Sequence, residues 1–394
     1  MSKEETEKGG SALAERNRGI DALRGVSILL VVMHHVGIRI PLAKTALGDL
    51  LPKWLLDGIN WNGAEGVVVF FVISGFLITR RTQLRWGELR DLSVRGFYWF
   101  RATRILPVLL LVVALLSACH LLGVPNYVID KPSQSLGGAI WAALGFHINW
   151  YEGQTGYLPG GWNVMWSLAV EEVFYIGFPL VCITLGRTRF FIPVLIVLAL
   201  SHPFTRAALA QLHNEIWYEE AYLPGMASIA TGVLAACVVR RFTNVDRRAA
   251  LAVALAGIVG LCMVLFAGRF VWTLLHQGYG LWLNLSAALI VLGAHWLQSS
   301  GLRLRGVGWL CSCGRLSYEM YLFHMFCVFG VVGIARASGL DMRYGFVWYV
   351  PAVALSWLAG YVVARVYSQP VEQRLRRKST QPAPAETGPL AQTL

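Results

Sequence analysis

The chain has 394 residues, of which 56% are hydrophobic, 14% are charged and 15 are tryptophan. This composition excludes an ordinary water-soluble globular protein and is typical of a polytopic membrane protein. The net charge of +12 at pH 7 is explained by basic loops and anionic lipid, so we expect no nucleic-acid partner. Seven cysteines, mostly in apolar segments, predict no disulfide framework, and the lone pair Cys311 and Cys313 predicts no metal site.

Apolar windows of about twenty residues predict ten membrane-spanning helices. They lie at residues 20–40, 64–80, 104–123, 166–185, 189–205, 221–239, 249–267, 279–297, 315–335 and 346–366. The segment SLGGAIWAALGFHI at 135–148 is too short to cross comfortably, so we expect a re-entrant or interfacial half-helix there. We therefore predict an all-α polytopic membrane domain over residues 18–378, flanked by disordered tails at 1–17 and 379–394.

The distribution of basic residues predicts the orientation of the chain. With ten crossings, 26 of the 34 lysines and arginines fall on one side of the membrane and 8 on the other. The positive-inside rule then places both termini in the cytoplasm. No small-residue cleavage site follows the first apolar segment, so we interpret it as a retained span and not as a signal peptide.

Two ionisable residues in the first span are the clearest functional signal. Arg24 and His35 lie eleven residues apart in IDALRGVSILLVVMHHVGI, which places them on one helical face and about 16 Å apart along the axis. His34 is turned by about 100° and faces elsewhere. Ionisable groups in hydrocarbon are costly and usually functional. The predicted topology puts Arg24 at the cytoplasmic edge and His35 in the outer half of the membrane.

Two further spans carry polar residues. Glu171 and Glu172 in WSLAVEEVFY are predicted about one to two turns below the outer surface, at a depth comparable to that of His35. In GRLSYEMYLFHMF, Ser317, Tyr321 and His324 recur at i, i+4 and i+7 and share one face. We expect His324 near the membrane midplane.

The chemistry of these residues suggests group transfer across the membrane. A neutral imidazole such as His35 can take a proton from a hydroxyl, and a nearby carboxylate such as Glu171 can orient it and stabilise the imidazolium. On the cytoplasmic side, Arg101 and Arg104 lie in an arginine-rich and aromatic segment. Such a cluster can hold an anionic donor that carries phosphate.

Four sequence blocks support this interpretation. They are Arg24 and His35 with ten residues between them, FFVISGFLIT at 70–79, FRATRILP at 100–107 with WSLAVEEVFY at 166–175, and LSYEMYLFH at 316–324. With these blocks, the sequence resembles the integral-membrane acyltransferase-3 family of bacterial O-acyltransferases over about residues 17–378.

The resemblance implies transfer of an acyl group, usually acetyl, from cytoplasmic acyl-coenzyme A to a hydroxyl of a carbohydrate, lipid or small molecule, with the enzyme in the bacterial cytoplasmic membrane. The essential Arg and His of the family correspond to Arg24 and His35, and the acid of its WSLxxE motif corresponds to Glu171. Arg24, Arg101 and Arg104 are then expected to contact the donor, which is a substrate and not a permanently bound cofactor. Direct attack by the acceptor hydroxyl and an acyl-histidine relay both fit.

The acceptor site is predicted from polar and aromatic residues near these blocks. The candidates are Glu172, Tyr318, Tyr321, His324, Trp162 and Trp166. The tryptophan Trp162 fits a sugar-stacking surface and also an interfacial aromatic belt. The polar residues of the ninth span fit helix packing as well.

Two features depart from the family pattern. In YSQPVEQRLRR, Pro370 precedes Glu372, whereas family chains often have an acid two residues before the proline, which puts a role for Glu372 in question. Many relatives also carry an SGNH-type hydrolase-like domain, so we expect any second transfer step to use a separate protein of that kind. A polytopic transporter or flippase is the competing function, although we find no paired halves of the kind that carriers show.

Overall fold

A computed structural model describes residues 16–302 and 304–380, and the predicted disordered tails lie outside these residues except at their inner edges. The ten long helices, numbered in chain order, are α1 Arg18–Gly37, α2 Gly63–Trp86, α3 Val94–Leu121, α4 Trp166–Leu185, α5 Phe191–Leu200, α6 Tyr222–Arg241, α7 Arg247–Leu275, α8 Tyr279–Ser299, α9 Ser317–Ala337 and α10 Tyr349–Val363. Shorter helices at Lys53–Asn60, Leu136–Leu144, Ile148–Thr155, His202–Ala210, Glu215–Glu219, Gly308–Arg315 and Gln369–Thr380 connect or extend them. The all-α polytopic prediction is confirmed.

Nine helical segments of the described chain are long and apolar enough to cross a membrane. The predicted ten spans differ from this count at one segment, Arg247–Ser299, which has 53 residues. A straight helix of that length would measure about 80 Å, far more than the hydrocarbon thickness of about 30 Å. Within it α7 and α8 run antiparallel, because Gly257 approaches Ile290 while Gly293 approaches Ala254. The segment therefore contains two of the ten predicted helices.

The start of α3 differs from the prediction. The helix begins at Val94 and not at residue 104, since the side chain of Ser93 caps it by accepting a hydrogen bond from the Gly96 N–H. Arginine lowers the mean hydropathy of a sequence window but favours helix formation. A search for apolar windows therefore places the start of α3 too far along the chain. Arg101 and Arg104 are consequently helical residues. The segment predicted as a re-entrant or interfacial half-helix contains a short helix, Leu136–Leu144, and its position relative to the membrane stays a prediction.

The central helix is α1, which packs against α2, α8, α9, α10 and the short helix Gly308–Arg315. Asn17 caps its first turn by accepting a hydrogen bond from the Ile20 N–H. Glycines allow the short helix to approach closely, because Gly25 faces the carbonyl of Leu310 and Gly314 faces the carbonyl of Asp21. The side chains of α1 therefore lie in the interior of the bundle.

The contact between α2 and α6 gives a stability prediction. A methyl group on Gly232 would overlap the carbonyl oxygen of Val72, so Gly232→Ala must push the two helices apart. Overpacking of this kind costs about 1–3 kcal/mol, and we expect a lower thermal midpoint for the purified protein. Gly330→Ala is the control, because no atom lies within 4 Å of the methyl group it would add. Equal midpoints for the two variants would contradict this packing.

Candidate active site

A cavity of about 1260 Å³ lies between α1, α2, α3, α4, α9 and α10. Nine arginines line it: Arg16, Arg24, Arg81, Arg85, Arg101, Arg104, Arg315, Arg365 and Arg376. Two glutamates, Glu171 and Glu372, also line it. A concave surface with such an excess of positive charge attracts an anionic ligand.

The arginines are concentrated at one end of the cavity. Arg81 and Arg85 lie near the end of α2, and Arg101 lies in the first turns of α3. The charge distribution predicts that this end faces the cytoplasm. Ser167 and Tyr321 also line the cavity. Because Ser167 lies at the start of α4, which enters from the opposite side, these two residues mark the deep end.

Arg24 carries a positive charge that no acid neutralises directly. Its Nη2 donates a hydrogen bond to Ser317 Oγ at 2.8 Å, and no ion pair of Arg24 occurs in the described part of the chain. Asp21, an acid close enough to act on it electrostatically, is bound by Arg16 at 2.9 Å. The other electrostatic neighbours of Arg24 are Arg16, Arg81 and Arg104. Glu171 also acts on Arg24 electrostatically but forms no ion pair with it among the described residues. Arg24 is therefore held in place and ready to bind an anionic group.

The two predicted donor-binding residues of α3 are held by acids. Arg101 forms an ion pair with Glu172 at 3.2 Å and stacks on the ring of Tyr175 at 3.8 Å. Arg104 forms ion pairs with Glu319 at 3.3 Å and with Glu372 at 3.4 Å. Both arginines line the cavity, whereas Glu172 does not. Glu172 was predicted to bind the acceptor. In the structure it is the ion-pair partner of Arg101 and does not line the cavity.

Glu171 lines the cavity, but the structure does not bring it to His35. Its charged neighbours are Arg101 and Arg24, and it is hydrogen-bonded to the side chain of Ser74. No hydrogen bond joins it to His35 among the described residues. Glu171 therefore lies at the level of Arg24, deeper toward the predicted cytoplasmic side than the sequence suggested. The expected pairing of this acid with His35 is absent from the described geometry.

A series of rings leads from the deep end of the cavity toward the opposite surface. The ring centres of Tyr321 and His324 are 5.7 Å apart, and those of His324 and His35 are 5.0 Å apart. His35 lies 5.4 Å from His34, and His34 lies 6.0 Å from Trp61, which is 45% exposed. The two histidines His35 and His324 lie beyond the cavity wall. His35 therefore lies between the cavity and the opposite surface, which the charge distribution predicts to be the outer one.

The polar face predicted on α9 is confirmed by its contacts. Ser317 binds Arg24, and the Tyr321 hydroxyl accepts a hydrogen bond from Ser167 and donates one to the Val164 carbonyl, each at 2.8 Å. The ring nitrogen Nδ1 of His324 lies 2.6 Å from the carbonyl oxygen of Tyr321. A carbonyl oxygen only accepts, so this nitrogen carries the proton. The other nitrogen, Nε2, is buried and has no partner in the described residues.

Comparison with known proteins now assigns the chain to a family. The model of the acyltransferase-3 family, described as an acyltransferase domain, matches residues 17–366. The chain belongs to the acyltransferase-3 family. No solved structure gives a significant match.

Its relatives in the family include proteins of Staphylococcus aureus. One from strain COL, provisionally named an O-acetyltransferase, is 27% identical over 174 residues, which cover 43% of this chain and 25% of the relative. The O-acetyltransferase OatA of strain NCTC 8325 is 26% identical over 166 residues, covering 41% of this chain and 24% of the relative. The matched region thus spans about a quarter of the length of the curated relatives.

The aromatic residues of this acyltransferase-3 protein divide into two groups. Tyr318 and Tyr321 line the cavity, and the Tyr318 hydroxyl donates to the carbonyl of Ile105 at 2.9 Å. Trp162 is completely buried, so its ring has no free face for a sugar. Trp166 packs edge-on against Phe71 at 6.0 Å. Neither tryptophan lines the cavity.

Two glutamates near the arginines of the cavity were not predicted as site residues from the sequence. Glu372, whose role the shifted proline put in question, lines the cavity and binds Arg104 and Arg376. In the sequence, the i, i+4 spacing of Glu372 and Arg376 is typical of an ion pair on one face of a helix, and it could have indicated this contact. The helix Gln369–Thr380 carries both residues toward α3 because a wide helical turn, Ala364–Ser368, precedes it. Glu319 lies in an apolar span whose sequence pattern does not single it out. The structure shows that it is the buried ion-pair partner of Arg104.

Proposed function

We propose that this membrane O-acyltransferase takes an acyl group, most simply acetyl, from cytoplasmic acyl-coenzyme A. The acceptor is a hydroxyl of a carbohydrate or glycolipid at the outer side of the bacterial cytoplasmic membrane. Family membership supports the acyl transfer, and the names of the staphylococcal relatives support acetyl as the group. In this proposal both termini lie in the cytoplasm, as the distribution of basic residues predicts.

The observation that carries the donor assignment is the arginine-lined cavity. Coenzyme A has a nucleotide end with several phosphate charges and a long, uncharged arm that ends in sulfur. Arg81 and Arg85 at the wide basic end suit the phosphates, since arginine binds phosphate through charged and directional hydrogen bonds. Arg85 lies 3.5 Å above the ring of Phe100, which adds an aromatic surface beside the cations. The uncharged arm then extends inward past Arg24.

The deep end suits the reacting group. Ser167 and Tyr321 line the end of the cavity nearest the histidines, and His324 and His35 lie beyond it. A thioester held there has His35 on its outer side, where an acceptor hydroxyl arrives. We assign His35 as the base that takes the hydroxyl proton, and Arg24 as the residue that fixes the donor. Glu171 faces Arg24 and Arg101, so we assign it to the charge balance of the donor site.

The test uses purified protein in sealed proteoliposomes with radiolabelled acetyl-coenzyme A on one side and a panel of envelope polysaccharides and lipid-linked oligosaccharides on the other. We expect release of the coenzyme A thiol together with label in an acceptor. Comparison of envelope acetylation in a deletion strain and its parent then identifies that acceptor. Unmodified substrate carried across the membrane, with no thiol released, would contradict the proposal and favour a transporter.

A further inference from the structure

The proposed reaction releases a proton at one place and consumes one at another. The acceptor loses its O–H bond on the outer side of His35, and a C–O bond forms. The thioester C–S bond breaks in the cavity, and the electron pair stays on sulfur. Sulfur leaves as a thiol once it receives a proton, and the hydroxyl has released one. The shortest balanced route carries that proton from the side of His35 to the cavity.

We propose that His324 is the proton partner of His35 and carries this proton. The inference rests on the proposed acyl transfer. His324 lies between His35, at 5.0 Å, and the cavity residue Tyr321, at 5.7 Å, measured between ring centres. At this separation a small ring rotation lets the two imidazoles share a proton. His35 thus receives the proton from the hydroxyl, and His324 passes it to the sulfur.

The hydrogen bonds of His324 prepare it for this role. Its Nδ1–H is fixed by the carbonyl of Tyr321 at 2.6 Å, so the neutral ring offers a lone pair on Nε2. That atom is fully buried and has no partner in the described residues. A buried acceptor without a partner is unfavourable, and a hydrogen bond from His35 would satisfy it. If the His35 ring turns so that its N–H points to Nε2, its other nitrogen stays free to accept the hydroxyl proton.

The charges around His35 support a second imidazole as its partner. The ionisable groups that interact electrostatically with His35 are His324 from α9, His34 from its own helix and Arg39 just beyond that helix. Those that act on His324 include Arg39 and His34. None of these is an acid, so an imidazolium at His35 has no counter-ion among them. In a catalytic triad a carboxylate stabilises the imidazolium as its counter-ion. Here a neutral imidazole that shares the proton would spread the positive charge instead.

The decisive variant is His324→Asn in the full-length protein. The amide nitrogen of asparagine takes the place of Nδ1 and keeps the bond to Tyr321, but asparagine supplies no base. We expect kcat to fall about 100- to 1,000-fold, while donor affinity and thermal midpoint stay close to those of the unmodified protein. His295→Asn is the matched control, because His295 lies on α8 against Phe76, outside the site. A normal kcat in His324→Asn would overturn the proposal.

Two measurements separate a proton partner from a packing residue. A proton inventory, which is the rate in mixtures of light and heavy water, should be curved in the unmodified protein and linear in His324→Asn. A linear inventory in the unmodified protein would overturn the proposal even if His324→Asn does not fold. Nitrogen NMR of histidine-labelled protein in nanodiscs should show a hydrogen bond between two imidazoles that His324→Asn removes.

The NMR measurement needs no turnover, so it distinguishes the two possible failures. An imidazole pair in a protein that releases no thiol from acetyl-coenzyme A would contradict the proposed function and leave the pairing of His35 with His324 supported. Thiol release from a protein without the pair would overturn the role of His324 and leave the acyl transfer in place.

Discussion

His35→Ala is expected to lower the rate of acyl transfer at least about 1,000-fold while the donor still binds, since a positioned base contributes up to about 10,000-fold. The variant removes the imidazole between the cavity and the outer side but leaves the arginines of the donor site untouched. The measurement pairs thiol release with the dissociation constant for acetyl-coenzyme A. His295→Ala is the control, because His295 lies on α8 against Phe76, outside the site.

The same variant distinguishes the two forms of the mechanism. Acid quenching of the unmodified protein during turnover should trap label on His35 if an acyl-histidine forms. Direct attack leaves the protein unlabelled at every time point. Thiol release by His35→Ala at the normal rate would contradict a role for His35 in either form.

Arg24→Ala is expected to weaken binding of acetyl-coenzyme A about 10- to 150-fold, equivalent to about 1.5–3 kcal/mol for hydrogen bonds to a charged group. The effect should be large because Arg24 is half-buried, is held by Ser317 and has no acid paired with it in the described chain. Arg24→Lys keeps the charge but has a single donor atom, so we expect an intermediate loss.

Titration calorimetry of coenzyme A at two ionic strengths measures this effect. Arg343→Ala is the control, since Arg343 is exposed, pairs with Asp49 and lies outside the cavity. Salt should weaken the contribution of Arg24 only slightly, because partly buried charges are screened less than exposed ones. Unchanged affinity in Arg24→Ala would remove Arg24 from the donor site.

The sequence predicted the helices well because each apolar span carries its own signal. It also predicted which residues of one helix share a face, so the pairing of Ser317 with Arg24 and of His324 with His35 follows from regular periodicity on α1 and α9. Residues on different helices were harder to relate. Glu171 was placed beside His35 by counting from the start of its span, but relative depth depends on where each helix begins and how it packs.

The segment before α4 shows why that count failed. The helical segment that is long enough to cross the membrane begins at Gly160, so Glu171 lies farther from its start than a count from Trp166 suggests. A separate short helix, Gly160–Asn163, precedes α4, and Trp162 is turned into the protein core. Hydropathy alone does not reveal such a break, nor does it predict that Glu319 and Glu372 come from two helices to bind one arginine. Contacts of this kind arise from tertiary packing and have no periodic signal.

The hydrogen bonds of Tyr321 have a consequence for the energy supply of the cell. The membrane maintains an electrochemical gradient, and a permanent chain of proton carriers across it would act as a leak. The Tyr321 hydroxyl is occupied by Ser167 and Val164, so in the described structure it makes no hydrogen bond to His324. The thioester sulfur of a bound donor would complete the path of the proton from His324 to the cavity. An empty enzyme would then stay closed to protons between turnovers.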